Sequence, residues 1–228
     1  MKKYFFILTF VAVAVSVQAQ YYYDRSKNPD RTIRKTTNSN EGRDFDHYFF
    51  LSWDANKPLS NANFISSASS FGMKLGFRKR LNDVDRLWAG ADFSYSIYKQ
   101  YIPYQTYTSG NQSTSTDLYN YTYSYSVTAN IDYLFFSQDK IVIPYAGLAV
   151  GVAANKFSQY YNIYGTTNTG WGVQLRPEAG LLVGFTKNSP WRLKAGVHYD
   201  YASSKSTTFG YNNFLNMGFQ VGIVKMAW

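Results

Sequence analysis

The sequence predicts an all-β chain: an eight-stranded antiparallel up-and-down transmembrane β-barrel behind a cleaved N-terminal signal peptide. Three observations lead there. Apolar and polar residues alternate with period two in about eight separate runs, and no helix-period segment interrupts them. One run, 117–136, is too long for an ordinary globular sheet. Soluble strands are typically about 5–6 residues, whereas a tilted strand needs about 9–11 to cross a bilayer's hydrocarbon. The connections between runs also alternate between short and long, as in a barrel with turns on one membrane side and loops on the other.

At the N-terminus, Met1-Lys2-Lys3 is a basic start, Tyr4 to Val17 is an apolar run, and Val17-Gln18-Ala19 before Gln20 has the small-residue pattern of a cleavage site. The run is shorter than the roughly 20 residues of a spanning helix, so residues 1–19 read as a signal peptide rather than a retained anchor. No Cys follows the site, and no lipid-modified N-terminus is indicated. The next segment, 20–45, is polar and carries Arg25, Lys27, Arg31, Arg34 and Lys35. It reads as a disordered periplasmic segment, because low hydrophobicity with charge cannot build a core. Its functional alternative is a basic arm that contacts an anionic lipid or envelope component.

The barrel domain, 46–228, follows strand by strand. Phe49, Leu51 and Trp53 oppose Phe50, Ser52 and Asp54; Phe71, Met73, Leu75 and Phe77 oppose Gly72, Lys74, Gly76 and Arg78. Leu87 to Ile97 sets Ala91, Phe93 and Tyr95 against Asp92, Ser94 and Ser96. In 117–136 the row Tyr119, Tyr121, Tyr123, Tyr125, Val127, Ala129, Ile131, Tyr133, Phe135 opposes Asn120, Thr122, Ser124, Ser126, Thr128, Asn130 and Asp132. Leu148, Val150 and Val152 then oppose Gly147, Ala149 and Gly151, and Val173 to Phe185 opposes Gln174, Arg176 and Glu178. Trp191 to Tyr201 opposes Arg192, Lys194, His198 and Asp200, and Leu215 to Ile223 opposes Asn216, Gly218 and Gln220. Long connections are expected at 56–67, 100–116, 155–169 and 203–213, and short ones at 80–85, 137–140 and 187–189. Short turns are periplasmic in outer-membrane barrels, which puts both termini there.

Composition agrees. The 228 residues include 22 Tyr, 17 Phe and 5 Trp but no Cys, so one domain without disulfides is expected. Charged residues are only 16%. Without Lys2 and Lys3 the chain carries 21 basic against 14 acidic residues, net +7, which suits an anionic lipopolysaccharide neighbourhood. A lipocalin-type soluble barrel shares the alternation but turns its oily face inward around a ligand. Strand length, small residues on the polar face and aromatics near strand ends favour the membrane barrel. Lys74, Arg78, Asp92, Asp132, Arg176, Glu178, Arg192, Lys194, His198 and Asp200 all fall on the polar face. In a narrow barrel that face fills the interior, where opposite charges must pair because an unpaired buried charge is costly.

On these strands, on Pro144-Tyr145-Ala146-Gly147-Leu148-Ala149-Val150-Gly151 and Pro177-Glu178-Ala179-Gly180-Leu181-Leu182-Val183-Gly184-Phe185, and on the terminal aromatic, the chain resembles the small OmpA/OmpX-like outer-membrane β-barrel domains. It touches PorT-like barrels that assist a secretion apparatus without a motif that singles them out. The resemblance implies residence in the cell outer membrane, and it implies that Trp228 is the signal read by the barrel-assembly machinery. Trp228 shares parity with Val224 and Met226, not with the apolar odd positions, so a bulge near Val224-Lys225 is expected to bring it onto the lipid face.

The chain has no metal-ligand spacing, phosphate-cradling loop or nucleophile elbow, and no cofactor or nucleic-acid partner is expected. His198 beside Asp200 offers an oriented base in principle, but lipid A-deacylating barrels carry their His/Ser pair on the lipid side, and His198 points inward. An open pore calls for about sixteen strands or more, which argues against a wide channel. The expected role is therefore non-enzymatic: envelope structure or surface interaction. Outer-membrane lipid and lipopolysaccharide are its neighbours, and Tyr101, Tyr104, Tyr107, Tyr160, Tyr161, Tyr164 and Tyr211 are the candidate loop contacts for a surface or periplasmic protein.

Overall fold

Eight antiparallel strands close into a ring in simple sequence order: β1 (His47–Pro58), β2 (Ser69–Arg80), β3 (Leu87–Ser109), β4 (Gln112–Leu134), β5 (Val142–Tyr161), β6 (Tyr164–Gly184), β7 (Trp191–Ala202) and β8 (Phe214–Ala227), with β1 completing the ring against β8. This is a computed structural model, and it describes residues 45–81, 86–109, 112–161 and 164–228. The leader and all but the last residue of the 20–45 segment lie outside the described residues. Among the described residues no helix is long and apolar enough to cross a membrane.

The register shows why the alternation survives closure. Ile223, Leu51, Leu75, Phe93, Val127, Val152 and Val173 are successive cross-strand partners, so one belt of apolar side chains runs around the wall. Walking the other way, Ile223 meets Leu193 and Leu193 meets Val183. The two walks reach β6 at Val173 and Val183, a stagger of ten residues. With about 3.3 Å per residue and about 4.8 Å between strands, that stagger tilts the strands by roughly 40°.

The belt faces out. Leu51, Val127, Ile131, Val152 and Ile223 are each about half exposed, while Lys74, Arg78, Arg192 and Lys194 on the opposite face are fully buried. A lipocalin has the reverse arrangement, so that alternative is overturned: a soluble barrel with this exterior would leave its belt in water, whereas a bilayer covers it.

Two expectations about the chain's geometry are corrected. Of segments 100–116 and 155–169, residues 100–109, 112–116, 155–161 and 164–169 are strand rather than loop. β3 pairs with β4 out to Ser109↔Gln112, and β5 with β6 out to Tyr161↔Tyr164. Ser, Thr, Asn and Tyr in these stretches are half-wetted strand residues, and polar composition alone does not separate such a strand from a loop. Nor does a bulge occur at Val224-Lys225, because β8 keeps unbroken register with β1 through His47↔Ala227. Val224 and Met226 stay inward, and Trp228 lies past the strand end, exposed and stacked on Phe45 with ring centroids 5.7 Å apart.

The strand lengths divide the ring in two. β1, β2 and β7 have 12 residues and β8 has 14, whereas β3 and β4 have 23, β5 has 20 and β6 has 21. Half of the wall therefore projects beyond the other half at the long-loop end.

Candidate functional site

The interior is layered, and only its middle layer is ionic. At the short-turn end Tyr48, Phe50, Trp88, Leu134, Ile143, Tyr145, Leu182, Val224 and Met226 fill the lumen together with Phe45. The turn after β4 closes this end. Gln138 Nε2 donates to the Phe45 carbonyl (3.1 Å) while its Oε1 accepts from Phe45 N–H (2.9 Å). Arg192, expected among the ion pairs, instead donates to the carbonyls of Gln138 (2.6 Å) and Lys140 (2.9 Å). Its strand position at the rim of the barrel puts backbone acceptors, rather than carboxylates, within reach.

Above this plug lies the charge cluster. Arg78 forks across two carboxylates, Asp92 at 2.5 and 3.0 Å and Asp132 at 2.6 Å. Tyr48 Oη donates to Asp132 (3.1 Å), and Asn130 Nδ2 donates to Asp92 (2.5 Å). Glu178 takes Lys74 at 3.1 Å and Lys194 at 2.8 Å, with Tyr145 Oη donating at 2.7 Å. Lys194 also sits 3.9 Å from the centroid of the Phe50 ring. Glycines make the room: a Cβ at Gly76 would stand 2.0 Å from Asp92 Oδ1, and one at Gly147 2.1 Å from Asp132 Oδ1.

One step further up, Arg176 grips Asp200 through Nε and through Nη2 (2.8 Å), and reaches Ser94 Oγ (3.0 Å). His198 Nε2 lies 3.0 Å from Asn56 Oδ1, which can only accept, so Nε2 carries the proton. Asp54 and Asp200 stand 3.7 Å from that nitrogen, beyond hydrogen-bond range. The contact that would orient His198 as a base is therefore absent, since Arg176 engages both oxygens of Asp200. The structure thus brings Lys74, Arg78, Asp92, Asp132, Arg176, Glu178, Lys194 and Asp200 into pairs, and leaves His198 hydrogen-bonded to an amide.

The long-loop end holds a second plug that sequence reasoning missed. Loop 59–68 folds inward so that Phe64 and Ile65 are buried against Tyr98, Ala153, Phe157, Ala202 and Phe214, with Phe209 and Tyr211 of loop 203–213 packed alongside. Asn120 Nδ2 donates to the Phe64 carbonyl (2.7 Å), and Asn155 Nδ2 to Ser204 Oγ (2.6 Å), tying both loops to the wall. The available signal was parity: Tyr98 and Phe157 are large aromatic residues on the inward rows of β3 and β5, near the long-loop end. Tyr211, expected as a free loop contact, belongs to this plug, 5.7 Å from both Phe64 and Phe157, and burial pushes its phenol up from its ordinary pKa. Aromatic burial outweighs exposure there because the lumen offers several rings at once.

The other candidate tyrosines stand on the projecting wall formed by β3 to β6. Tyr101, Tyr104, Tyr160 and Tyr164 are well exposed, and Tyr107 and Tyr161 partly so. Rings pair across the ladder, Tyr101 with Tyr119 at 4.9 Å and Tyr161 with Tyr164 at 5.8 Å, which fixes them on a sheet rather than on loop tips.

No protein-family profile and no curated protein sequence matches the chain. Among solved structures it is similar to Neisserial surface protein A, with 22% identity, a TM-score of 0.50, and 78% of this chain covered against 96% of that one. It also aligns with the attachment invasion locus protein Ail of Yersinia pestis (14% identity, TM-score 0.49, 81% and 99% covered) and with the N-terminal β-barrel domain of Pseudomonas aeruginosa OprF (13%, 0.41, 80% and 99%). The likeness to the Neisserial protein is one of fold: the chain has the architecture of the small outer-membrane barrels.

Proposed function

We propose that this chain is an integral outer-membrane barrel that conducts nothing and catalyses nothing, and that serves as a rigid mount for the four-stranded wall projecting from the cell surface. The observation that carries the reading is the pairing of an outward apolar belt with a lumen blocked at both ends and cross-linked by ion pairs between them. An apolar exterior with a polar centre fits a bilayer, and a filled narrow barrel leaves no path for solute. What then remains available to partners is the wall, where tyrosines supply rigid amphipathic contact area of the kind adaptable binding surfaces use. Trp228, exposed at the strand terminus, is the natural mark for barrel assembly.

Fractionation with a heated and an unheated gel lane tests the base of this reading. The protein should partition with the outer membrane and shift mobility on boiling, and planar bilayers should show no discrete conductance. Soluble recovery without a shift would remove the membrane assignment, and stepwise conductance would remove the sealed lumen. Serine at Tyr101, Tyr104, Tyr160 and Tyr164 together should abolish any cell or matrix attachment that the wild type confers. Unchanged attachment would refute the wall as the contact surface.

A further inference from the structure

Two outward lysines stand among the tyrosines of the projecting wall. Lys99 on β3 pairs across the ladder with Tyr121 on β4, Lys156 on β5 pairs with Tyr123, and Tyr119 pairs with Tyr160. Lys99 Nζ lies 5.6 and 5.8 Å from the ring centroids of Tyr119 and Tyr121, and Lys156 Nζ lies 5.7 Å from that of Tyr123. Both lysines are exposed, and among the described residues neither makes an ion pair. Tyr121 and Tyr123 on β4 separate the two lysines, and across Tyr121 from Lys99 stands Ser158, which points outward yet is fully buried, its Oγ 3.1 Å from Thr167 Oγ1. A small residue beneath large neighbours leaves a shallow depression of about 450 Å³ walled by Tyr119, Tyr121, Tyr123 and Tyr160.

Depth along the strand identifies what meets this surface. Tyr95 and Tyr125, whose rings pair at 4.9 Å, lie two residues below Tyr123 at the upper edge of the belt. With the roughly 40° tilt, Tyr123 stands about 5 Å above the hydrocarbon, at headgroup level, and Tyr119 about 10 Å higher, beyond it. An aromatic girdle accounts for tyrosines at this level. It does not call for two cations that, among the described residues, make no ion pair, nor for a small buried residue beside them. Sugar rings stack on tyrosine faces and phosphates attract ammonium groups. Because the patch faces sideways from the wall and begins at headgroup level, an occupant anchored in the leaflet can reach it.

We propose that the Lys99/Lys156 patch is a lateral docking site for the phosphorylated sugar headgroup of an outer-leaflet glycolipid. The inference rests on the outer-membrane reading above. It is tested by native mass spectrometry of the folded full-length barrel presented with bisphosphorylated lipid A. The wild type should retain one glycolipid under conditions that strip phosphatidylglycerol. K99Q/K156Q should lower that retention about tenfold or more, the order expected for two lysines at an anionic surface. Tyr121→Ser should lower it too, whereas Lys57→Gln, an exposed lysine on β1 across the ring, should leave it unchanged. Equal retention by K99Q/K156Q, or equal retention of dephosphorylated lipid A, would overturn the proposal. So would a soluble disaccharide phosphate that holds as firmly as the acylated form, since the ligand would then come from solution. A heated gel lane for each variant separates the two readings: a lost mobility shift in the wild type breaks the membrane assignment, while a retained shift with unaltered glycolipid retention breaks only this site.

Discussion

Within the belt every strand has two hydrogen-bonded neighbours, and the wall's two faces follow the binary pattern closely. Beyond it only β3 to β6 continue, and the other half of the circumference is completed by loops 59–68 and 203–213. The lower region draws its order from ring closure around buried charge and from the apolar plug at the short-turn end. The upper region draws its order from hairpin pairing and an aromatic plug. The comparison teaches that a filled barrel can be finished in two chemistries: ion pairs where lipid surrounds the wall, and apolar packing where water meets the loops.

The sharpest way to break that comparison is at Arg78. Arg78→Ala leaves Asp92 and Asp132 buried without their cation, so a loss of about 3–5 kcal/mol is expected, read as a lower urea midpoint for the refolded barrel in detergent or lipid. A change under 1 kcal/mol would mean that the ion cluster does not hold the lower region together. Next comes the belt itself. Val150→Arg on β5 should cost about 2–4 kcal/mol if Val150 lies near the bilayer midplane, while Tyr160→Arg on the same strand, above the belt, should cost under about 1. Equal penalties at the two positions would move the membrane boundary. The upper plug should respond less, because it is bounded by loops that can relax. Phe64→Ala is expected to cost about 2 kcal/mol and to raise proteolysis within 59–68, leaving the heat-induced mobility shift intact. Smallest of all, replacing 103–116 by a tight turn should alter belt stability by less than about 1 kcal/mol, since those residues pair only with each other. A collapse of the mobility shift in that deletion would show that the projecting wall is needed to close the ring.

Legibility in the sequence follows the same division. The inward placement of Lys74, Asp92 and Glu178 could be read from parity, because a strand's faces are set by local alternation. Their partners could not: Glu178 meets Lys74 from 104 residues away, through four intervening strand pairings on one side of the ring. Arg192 illustrates the limit, sharing the parity of the cluster yet sitting at its rim. Tyr211 illustrates the converse, where loop composition suggested exposure and the fold supplied Phe64 and Phe157 to pack against.

The sequence by itself determined the strand count, the antiparallel order and which side of each strand meets lipid, since all three rest on period-two alternation and on connection length. Only the tertiary structure decided the ten-residue stagger, the pairing of buried charges, the two apolar plugs and the extension of β3 to β6 into a wall. Those features depend on which residues closure brings to the same height, and height around a tilted ring is a property of all eight strands together.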